Sequence, residues 1–309
     1  FYTFQIFEEC KTNEDNIPLI FVHGLVSSKR DMHKLVQFAK QQFPLRQATS
    51  VEILLAGFST LFENPDRYIK SAAESIQKAA KGSKCVDLVG HSLGGFTIRA
   101  YTQIFSQKNG FPKVRRLFSL AGVMGGFYCK DKCGKIPNEL RYLVNQATKG
   151  QIIYSNFAMK LITPTMLWKD PYNLEQYYRS NSILCQINGE CQIQNIKQNE
   201  AIGKEAIKNL EYFVTFYSPD DEIISPPQSE QFDFFKPNSS KSLEKFKDQE
   251  LYKQDLFGMK SLDDRGRWIN IEIMGFKHRD FVDHRVKEFW NECFKYIIVD
   301  PKQECKLTQ

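Results

Sequence analysis

The stretch that most constrains this chain is Val86-Asp87-Leu88-Val89 followed by Gly90-His91-Ser92-Leu93-Gly94. The apolar, β-branched run predicts a buried strand, and Gly95 to Tyr101 reads as the start of a helix. Strand, G-x-S-x-G and helix together make the nucleophile-elbow pattern, in which a tight turn lifts a serine hydroxyl above the end of a sheet. Glycines flank the serine because the two backbones approach too closely for a Cβ. Chance alone gives such a pattern on the order of 0.1 times in a chain this long, so its weight comes from context. An elbow needs a parallel sheet around its strand. It also needs partners in the chain order serine, acid, histidine.

The rest of the chain supplies that sheet. Ile17 to Val22 is a continuous apolar run, as expected of a strand covered on both faces, and it ends in His23-Gly24-Leu25. Further strands are predicted over 50–55, 114–120, 210–217 and 268–274. Helices are predicted over 29–42, 65–80, from the elbow to about 107, and over 200–209 and 281–298. This alternation predicts an α/β-hydrolase fold: one domain over 1–309, a mostly parallel sheet with helices on both faces. The alternation breaks between 125 and 203, where four cysteines and many aromatic residues fall. That segment reads as an insertion capping the catalytic edge. It forms either an acyl-binding wall or a subdomain that only packs. Residues 228–262 read as polar and irregular.

The acid and the base fall in the demanded order. Ser218-Pro219-Asp220-Asp221 closes the fifth strand and His278 follows the sixth, so both lie at carboxyl ends of strands, where open α/β sheets place their sites. Ser92 would attack an acyl carbonyl. His278 would take its proton and return it to the leaving group, and the aspartate would fix the imidazole tautomer. Asp221 is preferred to Asp220 because Ile223-Ile224 and then Pro226 make a short turn after it. His284 competes with His278 but falls inside the expected last helix. His23, His33 and His91 precede the acid. Backbone N–H groups of Leu25, in the turn after the first strand, and Leu93, after the nucleophile, would form the oxyanion hole.

Composition narrows the partners. The net charge of +6 comes from 42 basic and 36 acidic residues without a dense Lys/Arg block, which argues against nucleic acid and leaves peripheral contact with an anionic membrane open. No apolar run reaches the ~20 residues that span a bilayer, so no transmembrane segment is expected. The chain opens on Phe1 and reads as processed, consistent with loss of a secretory leader. Cys129 and Cys133, and Cys185 and Cys191, lie close in sequence. Their spacing is loose and no histidine lies between 129 and 191, so disulfides are expected rather than zinc. The pairing is not readable. Asn238-Ser239-Ser240 is a glycosylation sequon. No metal and no cofactor is called for.

With these residues in place, the chain resembles the palmitoyl-protein thioesterase family of lysosomal α/β hydrolases. Trp168-Lys169-Asp170-Pro171, with Tyr178-Arg179-Ser180-Asn181-Ser182-Ile183, is similar to the family's W-x-D-P and Y-x-x-x-S segments. Asn188-Gly189-Glu190 resembles its I-N-x-E turn. Pro219 to Pro226 with Phe232-Asp233-Phe234-Phe235, and Leu251 to Lys260, resemble its D-x-I-x-x-P, F-G-F-Y and L-Y-x-x-D-x-x-G-L-K stretches. The resemblance implies cleavage of fatty acyl thioesters on proteins or coenzyme A, in the lysosome or secretory pathway. It implies Ser92, Asp221 and His278 as catalytic residues and Leu25 and Leu93 as oxyanion donors. It further implies an acyl groove within 125–203 and Trp168 as a substrate-binding residue. One position departs: the family often has Gln after the nucleophile, and here Leu93 gives an elbow common among lipases. A lipase or carboxylesterase acting on oxyesters, or a silent lipid-binding homologue, stands as the alternative.

Overall fold

A strand covered on both faces has no use for polar alternation, and β1 (Leu19–Val22) is buried at every residue. The computed structural model describes residues 10, 14–54, 57–129, 152–193, 196–197 and 201–308. β1 is joined by β2 (Ala48–Val51), β3 (Cys85–His91), β4 (Lys113–Leu120), β5 (Tyr212–Tyr217) and β6 (Trp268–Glu272). The spatial order is β6-β5-β4-β3-β1-β2, and every pairing is parallel. Successive side chains of β1 point to opposite layers: Ile20 and Val22 enter one core, Leu19 and Phe21 the other.

Helices cover both layers. α1 (His33–Gln42) contributes Leu35, Val36 and Ala39 to the second core, opposite the layer filled by α2 (Pro65–Ala79) and α3 (Leu93–Ile104). α2 buries Tyr68, Ile69, Ala72, Ala73 and Ile76, a helical stripe. It begins where Asn64 accepts the Arg67 N–H at 3.0 Å and Pro65 supplies a fixed φ. The amino end of the sheet is held by charge. Asp87, wholly buried at a bulge in β3, receives Arg46 at 2.5 Å and Arg115 at 2.6 Å. Burial alone would raise its carboxyl pKa; Arg46 and Arg115 outweigh that and hold it below the usual range.

Three disulfides are described: Cys10–Cys85, Cys185–Cys191 and Cys293–Cys305. The expected local pair at 185 and 191 is thus formed, and Cys133 lies outside the described residues. No described helix is long and apolar enough to cross a membrane.

Between β4 and β5 the described residues form short helices, among them Asn156–Leu161, Leu174–Arg179 and Ile183–Asn188, and one two-residue antiparallel pair, Gln192–Ile193 with Ile196–Lys197. This part of the 125–203 segment is tied to α3 by Arg99 and by Gln103, whose Nε2 donates to Ile187 O at 2.8 Å and Ile202 O at 2.9 Å. Arg99, fully buried, donates to Met124 O at 3.1 Å, Ile187 O at 3.3 Å and Asn188 Oδ1 at 2.6 Å, and stacks on Phe232 and Phe257. Burial lowers its guanidinium pKa to about 9.

Three expectations need correction. The second strand is Ala48–Val51, not 50–55, because β1 ends at Val22 and Val51 is the last residue with a partner. The last helix begins at Val286 rather than 281, since 277–283 is taken up by turns closed by Asp280 on Lys277 N–H (2.7 Å) and by Asp283 N–H on Arg279 O (2.8 Å). His284 therefore lies in an exposed turn, not in a helix. Residues 228–262 are irregular but not merely polar: Phe232, Phe234, Phe246 and Phe257 are buried there in the main core.

Candidate active site

The elbow forms as its sequence requires. Ser92 has φ 58° and ψ −125°, a region that L-residues rarely occupy, and is half-buried between buried His91 and Leu93. Its N–H donates to Leu120 O at 3.0 Å, fastening the turn to β4. A Cβ on Gly90 would collide with the Gly94 carbonyl, and one on Gly94 would collide with the Val22 carbonyl. The turn after β1 touches the same point: a Cβ on Gly24 would lie 3.0 Å from Ser92 Cβ and 3.4 Å from its Oγ.

Two late turns meet at the same end of the sheet. Asp221 follows β5. Its Oδ1 accepts the N–H groups of Ile223 (2.7 Å) and Ile224 (3.0 Å), which leaves Oδ2 aimed at His278 Nδ1 at 2.6 Å. Asp220 is exposed and instead accepts the Gly275 N–H at 2.7 Å, bracing the turn that carries His278. The structure therefore brings His278 to Asp221 and not to Asp220. His91, next to Ser92, donates through Nε2 to the His278 carbonyl at 2.8 Å, with ring centroids 4.7 Å apart. The elbow and the imidazole are thereby joined.

Electrostatics follow from burial. Burial would raise the Asp221 carboxyl; His278, through charge and hydrogen bond, outweighs it and holds the group well below the carboxylate range. His91 is pushed down to about 3 by burial and by His278, so it is a neutral donor. Sequence reasoning missed Glu230. This wholly buried carboxyl lies with Asp221 and His278 in one cluster whose ligand atoms are all within 4.8 Å. Burial, then Asp221, raises its pKa well above the ordinary value. No local signal marks it, since Glu230 stands among Gln231 and Asp233 in a stretch whose polar residues give no hint of which one is enclosed. Among the described residues this is the only such grouping with metal-like spacing. A cation on these atoms would have to displace the Asp221–His278 hydrogen bond.

The remaining predicted residues fall as follows. Leu25 lies in the turn beside Ser92, half-buried against the core, and the next N–H, of Val26, is held by Thr60 Oγ1 at 3.0 Å. His23, fully buried, braces that turn through Nδ1 to Gly24 O at 2.9 Å. Leu93 opens α3, where first-turn N–H groups lack an intrahelical acceptor. Trp168 is only 1% exposed and packs on Phe127 and Tyr128, so its ring is shut inside an aromatic cluster. Asn238 of the sequon is exposed.

A parallel sheet in this order, with an elbow at the end of β3 and an acid–imidazole pair beyond β5 and β6, defines an α/β-hydrolase fold. Within that class the chain belongs to the palmitoyl protein thioesterase family, whose model matches residues 18–278. It is 28% identical over 270 residues to lysosomal thioesterase PPT2-B of Xenopus laevis, covering 87% of this chain and 88% of that one. It is 27% identical over 250 residues to palmitoyl-protein thioesterase 3 of Dictyostelium discoideum, covering 81% of each. Among solved structures, a monoacylglycerol lipase from Paleococcus ferrophilus is similar at a TM-score of 0.46 and 13% identity, covering 88% of this chain and 92% of that chain.

Proposed function

We propose that this protein is a serine thioesterase that removes long fatty acyl groups from thiols, with Ser92 as nucleophile, His278 as base and Asp221 as its orienting acid. The observation that carries the reading is the 2.6 Å contact of His278 Nδ1 with Asp221, in a histidine whose backbone carbonyl is tied to His91, the residue before Ser92. Asp221 keeps the Nδ1 proton in place and leaves Nε2 as the acceptor for the serine hydroxyl. Ser92 Oγ attacks the thioester carbonyl and its proton passes to His278. The tetrahedral oxyanion takes N–H bonds from Leu25 and Leu93, each worth about 3–4 kcal/mol in the transition state. Collapse expels the thiol, protonated by His278, and water then releases the fatty acid by the same steps.

Family membership and the names of the relatives support an acyl thioester on a protein or coenzyme A as substrate, and a lysosomal or secretory location. In this reading the acyl-binding wall comes from the segment 125–203, of which residues 130–151, 194–195 and 198–200 lie outside the described ones. Trp168 serves it from behind, by holding Tyr128 and Phe127 rather than by touching the chain.

The test is release of free thiol from palmitoyl-CoA by the purified protein and by Ser92→Ala. Turnover is expected to fall by about 10⁴-fold or more in the variant. Turnover that survives the substitution refutes the reading. Matched palmitoyl thioester and oxyester substrates separate it from a lipase: a higher kcat/KM on the oxyester would reassign the leaving group.

A further inference from the structure

The mechanism above makes no use of Glu230, although it is the most deeply buried acid at the site. It sits in the single helical turn Pro227–Gln231, with Oε2 accepting the Ser218 N–H at 3.0 Å. Its other oxygen, Oε1, is enclosed with no donor directed at it. The groups that face it are few. From the turn after β5 come Asp221 and the Ser218 N–H; from the turn after β6 comes His278. On its own segment, Asp233 is turned away to Lys245 at 2.9 Å and to the Phe246 N–H at 2.8 Å. No lysine or arginine is paired with Glu230 among the described residues.

Two carboxylates cannot both hold charge in such a cluster when one imidazole is the only cationisable side chain in it among the described residues. Asp221 is the one fixed as an anion, by two backbone N–H groups and His278. We infer that Glu230 keeps its proton and donates it as a hydrogen bond to the Asp221 carboxylate, making it a positioning residue that limits the basicity of Asp221. An orphaned buried oxygen thereby becomes a satisfied hydroxyl, and Asp221 gains a donor in addition to its two backbone N–H groups and the imidazole. A softer Asp221 stabilises the imidazolium less, so His278 stays a usable base at lower pH. This last step rests on the triad reading; the proton on Glu230 does not.

Two measurements on the full chain separate these claims. Glu230→Gln keeps a donor for Asp221 and an acceptor for the Ser218 N–H but cannot ionise. A buried acid that stays neutral in the fold costs stability as pH rises above about 4.5, because the unfolded chain then loses a proton that the fold retains. Wild type and Glu230→Gln are therefore expected to unfold alike near pH 4. Above that the wild type should weaken relative to the variant, by up to tenfold in the unfolding constant per pH unit. Parallel profiles across pH 4 to 8 overturn the assignment.

For the positioning role, Glu230→Gln should keep kcat/KM within about threefold, while Glu230→Leu, which lacks a donor, should move the acid limb of kcat/KM up by about half a pH unit. An unmoved limb in a folded Glu230→Leu protein overturns that role. If Glu230→Leu does not fold, the Gln variant decides alone, since a Gln enzyme as impaired as an unfolded one refutes donation. Were the triad reading itself mistaken, Ser92→Ala would stay active while the unfolding profiles still diverged.

Discussion

At the scale of single residues, the site is decided by which oxygen of which acid is left over. Asp221 spends Oδ1 on two backbone N–H groups and so has only Oδ2 for the imidazole. Asp220, one residue earlier, is spent on the Gly275 N–H. Asp221→Asn would keep the shape and present an amide in place of an acceptor, favouring the wrong tautomer. We expect kcat on a palmitoyl thioester to fall about 10⁴-fold with little change in stability. Asp220→Asn should lose under tenfold, since it disturbs only the turn. Steady-state kinetics on the two variants reads this directly, and a reversed order would exchange the two roles.

At the scale of elements, the contact that matters most is the one between α3 and the segment before β5. Arg99 makes it through Ile187 O and Asn188 Oδ1, helped by Gln103, and also holds Met124 O and stacks on Phe232 and Phe257, with no carboxylate ion pair among the described residues. Arg99→Met should cost about 3 kcal/mol, through buried acceptors left without donors, and lower the midpoint of denaturant unfolding. A loss below about 0.5 kcal/mol would mean that the segment is held some other way. The same elements show how far the sequence could be read. All six strands were anticipated, the inner ones from apolar and β-branched runs covered on both faces and the edge strand β6 from its alternation, but the edge strand β2, with half-buried Thr49 and Ser50, was placed two residues late. The elbow, Asp221 and His278 were legible because each ends such a run. Glu230, Arg99 and the buried phenylalanines of 228–262 were not. Their surroundings come from segments far apart in the chain, and a charged residue looks the same in a string whether it is solvated or enclosed. The start of the last helix was misplaced because 277–283 has helical spacing but closes its hydrogen bonds as turns.

At the scale of the whole molecule, covalent links fix what the sheet does not. Cys10–Cys85 closes a loop with a sequence separation of 75 and joins the start of the chain to the amino end of β3, beside the Asp87–Arg46–Arg115 cluster. In the chain-entropy model a loop of that size stabilises the fold by about 4 kcal/mol. Cys10→Ser with Cys85→Ser should therefore lower the thermal midpoint by several degrees while leaving kcat near the wild-type value, because the link lies at the end of β3 opposite the elbow. A variant that kept its melting temperature, or lost turnover while still folded, would contradict this.

The crowding around the elbow has one more consequence. The backbone of Gly94 rests on the carbonyl of Val22, that of Gly90 on Gly94, and Gly24 touches Ser92 itself. The strained backbone that presents the Ser92 hydroxyl thus forms only once β1, β3 and α3 have docked against one another. On the proposed chemistry, reaction of Ser92 with a serine-directed phosphonate becomes a clock for maturation. In a refolding time course, labelling should lag behind recovery of helical circular dichroism and coincide with the last packing step, so that a probe of activity doubles as a probe of completed assembly.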